Sequence, residues 1–384
     1  MSLLQPQRIL VVKLSDIGDV LTATPALRAL RQTFRAARID ILVPPSSASI
    51  LHGSRLVDEV IVFDKFAYDR IGDAVSFGAL RAAQQFFGAL RARRYDTLVL
   101  LHHLSTRWGA LKWSLLTQAV GASVRVGLDN GRGGFLTHRV PDEGFGAKHE
   151  VEHCLAVVNL IGAKTGDLSL DLPMTDRDRS SAGHILSHQF LPTVRPRSAP
   201  ARATRIEDSS SKFAPMPNVV IAVHPGSGSY SLARRWSLER WEELGRILIA
   251  RGARLMIVGT PDDGGNELSQ RLPGVLNLTG KTTLMQLGAL LQQCDLFVGA
   301  DSGVMHVAAA AGARVVALFG ATNPKAWGPW TPYGRSLVVQ SATPGCPCAY
   351  VGFRIRSDEC EAKECMNGIS VERVLQAIDS LMTG

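Results

Sequence analysis

Short continuous apolar runs alternate with stretches of helical periodicity along most of the chain. Ile9, Leu10, Val11 and Val12 form an unbroken β-rich run, so Arg8–Lys13 reads as a strand buried on both faces. A helix is expected from about Val20 to Phe34, then strands at Ile39–Val43, Val60–Phe63 and Thr97–Leu101, with helical stretches between most of them. That alternation is the pattern of βαβ units, which fold as a parallel sheet with helices on both faces. It lapses at 192–217, which holds five prolines, several serines and mixed charges without periodicity. It restarts with strands at Val219–Val223, Leu255–Val258, Leu296–Val298 and Val315–Phe319. The expected organisation is an α/β protein with a doubly wound, Rossmann-like domain at 1–190, a linker or mobile insertion at 191–217, and a second such domain at 218–384. A cleft between the two is the default ligand site. No short-period tandem repeat is present.

The polar residues gather where strands hand over to helices, and in an open parallel sheet ligands sit beyond those strand ends. Asp301-Ser302-Gly303-Val304-Met305-His306 follows the strand at 296–298 and opens an alanine-rich helix pattern. The first N–H groups of a helix lack intrahelical partners and its start carries partial positive charge. Asp301 and Ser302 suit capping, and Gly303 lets a ligand approach the backbone. This segment fits a phosphate or pyrophosphate, and equally an ordinary capped helix. The first turn of the chain, Lys13-Leu14-Ser15-Asp16-Ile17-Gly18-Asp19, sets two carboxylates beside a lysine. Either carboxylate could cap the helix or act as a general base toward a substrate hydroxyl. Gly-x-Gly-x-x-Gly is absent here, which argues against a dinucleotide dehydrogenase. In the second half, His224-Pro225-Gly226-Ser227-Gly228-Ser229 follows a strand and forms a backbone cradle for an anion, with Arg234 and Arg235 placed for bidentate phosphate contacts. Trp236 beside them reads as core.

Composition adds limits. The chain has 384 residues, 46% hydrophobic and 20% charged, which is globular and enough for two cores. The balance of 42 basic and 34 acidic residues gives +8. That charge suits a nucleotide, an anionic lipid surface or a nucleic acid, without choosing among them. The first apolar run is broken by Lys13 and no uncharged stretch of about 18 apolar residues occurs, so neither a signal peptide nor a membrane span is expected. A cytoplasmic protein is expected, resting at most on the inner face of a membrane.

Taken in order, these turns resemble glycosyltransferase family 9, the ADP-heptose:lipopolysaccharide heptosyltransferases. The resemblance rests on Lys13, Ser15, Gly18-Asp19, Val20 and Thr24-Pro25-Ala26-Leu27. It continues with His224-Pro225-Gly226, the basic pair before Trp236, Asp301-Ser302-Gly303 with His306, and Leu318-Phe319-Gly320-Ala321-Thr322-Asn323-Pro324. It runs from about residue 8 to about 378, outside 192–217. It implies a GT-B fold, with acceptor binding in the N-terminal domain and nucleotide-sugar binding in the C-terminal one. It also implies an inverting, metal-independent transfer of heptose from ADP-heptose to a lipid- or glycan-linked acceptor, first of all the lipopolysaccharide inner core, with a protein or another glycan as the alternative acceptor and no nucleic-acid partner. Asp19 matches the family's general base. His224, Gly226, Ser227, Arg234, Arg235, Asp262, Asp301, Ser302, Gly303 and His306 fall on the donor side, with Arg234 where family members carry a phosphate-binding lysine. Asp262, with Asp263 the nearest acid to a ribose-binding glutamate, has the shorter arm. Lys13, Ser15, Asp16 and Arg107 fall on the acceptor side, with His102, His103 and Ser105 near them. Asp176-Arg177-Asp178 reads as a surface feature and not a metal site. A sugar-nucleotide epimerase or hydrolase, or a non-catalytic nucleotide-sugar binder, would share the fold.

Cys154 and Cys294 fall in apolar helical patterns and read as buried small residues. Cys346, Cys348, Cys360 and Cys365 cluster within twenty residues, and four thiolates there suit a structural Zn or Fe. Their spacing, Cys-x-Cys then Cys-x4-Cys, departs from the usual two-residue knuckles and favours reduced thiols, and no disulfide is expected.

Overall fold

The computed structural model describes residues 5–64, 77–189, 214–228, 232–331, 335–353 and 364–383. The chain divides into two compact units. The first runs to Pro173 and takes in Thr322–Pro332 and Pro347–Ser357; the second holds Met174–Ala321, Tyr333–Cys346 and Asp358–Gly384. Most of the 191–217 segment, residues 191–213, lies outside the described residues.

Unit 1 is a six-stranded, all-parallel sheet in the order β3-β2-β1-β4-β5-β6. Its strands are β1 Arg8–Val12, β2 Arg38–Val43, β3 Glu59–Val62, β4 Thr97–Leu100, β5 Val124–Asp129 and β6 His138–Pro141. Its longer helices are α1 Ile17–Thr33, α2 Phe77–Ala92, α3 Arg107–Val120 and α4 Glu150–Asn159. β1 is central and its Ile9–Val12 run is fully buried, because neighbouring strands and helices cover both faces. Leu10, Val12, Leu98 and Leu100 form one core with Leu116 and Val120 of α3, while α1 packs on α4. Pro25 lies inside α1, and the Leu21 carbonyl that a proline cannot reach accepts instead from Thr24 Oγ1 at 2.7 Å. That local repair keeps the helix continuous behind the first turn.

Unit 2 repeats the architecture in the order β12-β11-β10-β7-β8-β9, again parallel. Its strands are β7 Val220–His224, β8 Arg254–Ile257, β9 Leu276–Asn277, β10 Leu296–Ala300, β11 Val315–Phe319 and β12 Ser336–Gln340. Its longer helices are α5 Asp176–Gln189, α6 Leu238–Ala250, α7 Leu284–Gln293, α8 Gly303–Ala310 and α9 Val371–Thr383. The boundary between units falls near residue 173 because α5 packs on α7. Asp176 and Asp178 sit in the first turn of α5, where Asp178 accepts from the Thr175 N–H and hydroxyl. That is a capping arrangement on the surface. Trp236 is buried, donates from Nε1 to the Ile369 carbonyl at 3.0 Å and meets Trp241 edge-on. Among the described residues no helix is long and apolar enough to cross a membrane.

Candidate active site

In unit 1 the chain leaves β1 through Lys13, Leu14, Ser15 and Asp16. The turn is pinned on two sides. The Leu14 N–H donates to His102 Nε2 at 2.7 Å, and that ring stacks on Trp113 of α3 with centroids 4.3 Å apart. Ser47 Oγ donates to the Ser15 carbonyl at 2.7 Å. Asp16 occupies the N-cap position of α1 without a side-chain cap bond and is exposed. Asp19 lies in the first turn of α1 with its side chain 23% exposed. Arg107, at the start of α3, is exposed.

Lys13 is 2% exposed, a position a lysine holds only when its charge is compensated. Its Nζ lies 3.9 Å from Asp19 Oδ1 and 3.8 Å from Glu150 Oε2. Glu150 opens α4 and also faces His103, whose Nε2 is 2.8 Å from Glu150 Oε1 and whose Nδ1 is 2.9 Å from Asp142 Oδ1. With a carboxylate at each ring nitrogen, His103 donates from both and is an imidazolium. Burial alone would lower its pKa, but the hydrogen bonds to Asp142 and Glu150 prevail and raise it to about 9. Burial likewise works against the Glu150 charge, yet the His103 hydrogen bond, with the His103 and Lys13 charges, lowers it to about 2. Burial opposes the ammonium of Lys13 too. Cys154, Asp19 and Glu150 beside it together hold Lys13 above its usual range, while burial pushes the Cys154 thiol itself up to about 12. The result is a buried run of alternating charge, Asp142–His103–Glu150–Lys13–Asp19, ending on the half-buried carboxylate.

In unit 2 three strand-end loops are tied together by one imidazole. His224, the last residue of β7, places Nε2 3.2 Å from Asp263 Oδ2 and Nδ1 3.3 Å from Ser302 Oγ. Asp263 also accepts from the Thr260 N–H at 2.7 Å, the Thr260 hydroxyl at 2.8 Å and the Gly228 N–H at 3.2 Å. Burial would raise its pKa, but the His224 and Thr260 bonds hold it well below the carboxylate range. Gly226 is required by this closeness: a Cβ there would lie 1.9 Å from Asp263 Oδ1. Gly226→Ala should therefore lower the melting temperature by several degrees, since overpacking costs about 1–3 kcal/mol. A thermal scan matching the wild type would contradict that geometry.

Ser302 is the N-cap of α8 and accepts from the Met305 N–H, and Gly303 is the first helical residue. Asp301 is buried and pairs with Arg234, Nη1 to Oδ2 at 3.1 Å. Of the two residues read as helix caps, the Ser302 hydroxyl caps, while the Asp301 carboxylate pairs with a guanidinium instead. Arg235 donates to the Asp262 and Gly228 carbonyls and approaches Ser227 Oγ at 3.4 Å. His306 is buried on α8. A pocket of about 540 Å³ opens beside this cluster, bordered by Arg235, Trp236, the exposed Asp262 and Glu267. Both Asp262 and Asp263 border it, Asp262 exposed and Asp263 buried with its carboxylate on His224.

Glu150, Asp142 and Glu267 are absent from the sequence-derived site. Glu150 follows a histidine at a helix start and looks like an ordinary capping acid, and only the fold brings it to Lys13. Among the described residues His103, Glu150 and His153 form one group with metal-ligand atoms within 4.8 Å of one another. A proton on His103 already accounts for its short contacts. Cys346 and Cys348 are half-buried and Cys365 is buried, while Cys360 lies outside the described residues.

Residues 83–348, more than half the chain, match the model of glycosyltransferase family 9 (heptosyltransferase). The chain belongs to glycosyltransferase family 9. It is 25% identical over 331 residues to lipopolysaccharide heptosyltransferase 3 of Escherichia coli, covering 82% of this chain and 84% of that protein. Among solved structures it superposes on the family 9 glycosyl transferase of Veillonella parvula DSM 2008 with a TM-score of 0.71 at 20% identity, covering 100% and 99% of the two chains. It superposes on the E. coli ADP-heptose lps heptosyltransferase II with a TM-score of 0.66 at 23% identity, covering 98% of each. These two matches speak for the fold, a GT-B pair of Rossmann-like units. Family 9 membership makes the protein a glycosyltransferase.

Proposed function

We propose that the protein moves a heptose, with inversion and without a catalytic metal, from ADP-heptose to a hydroxyl of the lipopolysaccharide inner core. The observation that carries the acceptor half is Asp19, at the end of the central strand and beside a buried lysine shared with Glu150. Asp19 takes the proton of the acceptor hydroxyl as that oxygen attacks the anomeric carbon. The C–O bond to the diphosphate breaks as the new bond forms, through an oxocarbenium-like centre. Negative charge growing on ADP is met by the α8 start at Gly303 and by Arg234 and Arg235, charges that do the work of a metal. Asp262 and Glu267 at the pocket edge suit ribose hydroxyls. The reaction is expected on the cytoplasmic face of the inner membrane, where a lipid-linked acceptor would be met.

The test is release of ADP from ADP-heptose with and without inner-core acceptor. Acceptor-dependent release with a glycosylated product supports transfer. Release without acceptor would make the protein a hydrolase, and tight binding without release a non-catalytic binder. In the same assay Arg234→Ala should weaken donor binding about tenfold or more, and more steeply as salt falls, because a charge-assisted contact is worth roughly 1.5–3 kcal/mol. Asp301→Ala should weaken it less, since it aims Arg234 and carries the wrong charge for a phosphate. Unchanged donor affinity in both variants by calorimetry would place the nucleotide elsewhere.

The cysteine loop is proposed to hold a structural Zn or Fe through Cys346, Cys348, Cys360 and Cys365. Elemental analysis should then find close to one equivalent per chain, and chelation should lower the melting temperature. No metal, with four thiols titrating in the native protein, would end that proposal.

A further inference from the structure

The outer face of α3 has no use in the chemistry above. Trp108, Leu111 and Leu115 lie at i, i+3 and i+7, one face of a helix, and they are 65%, 47% and 59% exposed. Large apolar side chains grouped this way mark an interaction site more often than chance exposure does. The helix is firmly built: Thr106 caps its start by accepting from the Gly109 N–H, and Gly121 ends it in a left-handed turn. Its inner face is fixed by Leu116 and Val120 in the core and by Trp113 against His102, the ring that holds the Lys13–Asp16 turn. The apolar stripe is therefore rigidly attached to the strand-end turn that carries Asp19.

Charge identifies what covers it. Residues 107–120 contain Arg107 and Lys112 and no acid. The Lys112 ammonium lies 5.9 Å from the centre of the Trp108 ring, at the edge of the stripe. Arg132 stands close by, donating to the Leu104 and Ser105 carbonyls. Between Arg107, Leu111, Arg132 and Phe135 lies a shallow depression of about 330 Å³. A second copy of the chain using the same patch would set these cations against each other, because a two-fold interface repeats the same surface. An anionic bilayer offers the complement: phosphates for the cations, and a headgroup boundary where a tryptophan and two leucines lie flat with their polar neighbours in water.

We propose that α3 docks on an anionic membrane surface through Trp108, Leu111 and Leu115, with Arg107 and Lys112 pairing with lipid phosphates. This names the surface at which the lipid-linked acceptor of the proposed function is met, and it rests on that reading only for the acceptor's delivery.

The experiment uses the full chain and vesicles of phosphatidylethanolamine with phosphatidylglycerol, against phosphatidylcholine alone. Wild type should sediment with the anionic vesicles in a salt-sensitive way and only weakly with phosphatidylcholine. The triple variant Trp108→Ser, Leu111→Ser, Leu115→Ser should lose at least tenfold in partition, and Lys112→Glu should lose several-fold. The triple variant should keep the wild-type melting temperature and its turnover on a soluble core oligosaccharide, since these side chains are exposed. Wild type that ignores anionic vesicles, or a triple variant that binds them normally, would overturn the proposal. So would a concentration-dependent dimer in sedimentation velocity that the triple variant abolishes, which would make the face a protein interface. Failure of the heptosyltransferase reading shows separately, as absence of transfer to the soluble acceptor by wild type.

Discussion

Asp19→Ala should reduce heptose transfer by about 10²–10⁴ while leaving donor affinity close to wild type, the loss typical of removing a general base. The expectation comes from position: Asp19 stands in the first turn after the central strand, partly open to solvent, while the residues that anchor it are buried. Lys13 is held by Glu150 as well as Asp19, so the alanine variant leaves the lysine paired and should fold. The groups proposed to bind the donor belong to the second unit and are untouched. Asp19→Asn tests the same point with the volume kept, and both variants should fall together in turnover at saturating donor. Turnover within a few-fold of wild type in either would remove Asp19 from the mechanism, whatever calorimetry showed for the donor.

The sequence is most legible where burial is complete. β1, β7, β10 and β11 are central strands with continuous apolar runs, and their expected positions differ from the structure by a residue or two at most. Strands at or next to the sheet edges are harder: the edge strand β3 is legible, but β6, β9 and β12 at edges and β5 beside one do not announce themselves. Val124–Asp129 carries Arg125 and Asp129, His138–Pro141 ends in proline, and Leu276–Asn277 is two residues long. One face or one edge of each meets solvent, so the run that marks a buried strand is missing. That the strand-end loops of unit 2 gather polar groups was readable for a local reason, since glycine, serine and arginine cluster there in the sequence, and the structure ties three of those loops together at His224. The Glu150–His103–Asp142 relay was not readable, because its members lie 47 and 39 residues apart and each looks ordinary in its own segment. The choice between Asp262 and Asp263 was closed to sequence for the opposite reason: the two are adjacent, and only the fold turns one toward His224.

The buried relay makes unit 1 sensitive to pH in a direction that can be worked out. His103 has its pKa raised to about 9 from 6.5, so its stabilisation is complete below 6.5 and is lost as pH rises through 9. Glu150 is lowered to about 2 from 4.5, so its stabilisation is complete above 4.5 and is lost as pH falls through 2. The relay should be strongest between about 4.5 and 6.5, and the melting temperature should decline on the alkaline side from 6.5 to 9. Glu150→Gln removes one of the two carboxylates that hold the His103 proton. Its imidazole should then titrate lower, and the alkaline decline should shrink. The same change gives Lys13 wholly to Asp19, which favours the Asp19 carboxylate and should move the acid limb of the turnover profile to lower pH. Glu150→Asp, which keeps the charge, should restore much of the wild-type profile. A residue that merely filled space would lower the melting temperature equally at every pH and leave that limb where it was. Thermal scans across the pH range, with histidine ring resonances followed by NMR, should separate these outcomes. An unchanged alkaline slope in Glu150→Gln would mean that Glu150 does not hold the His103 charge.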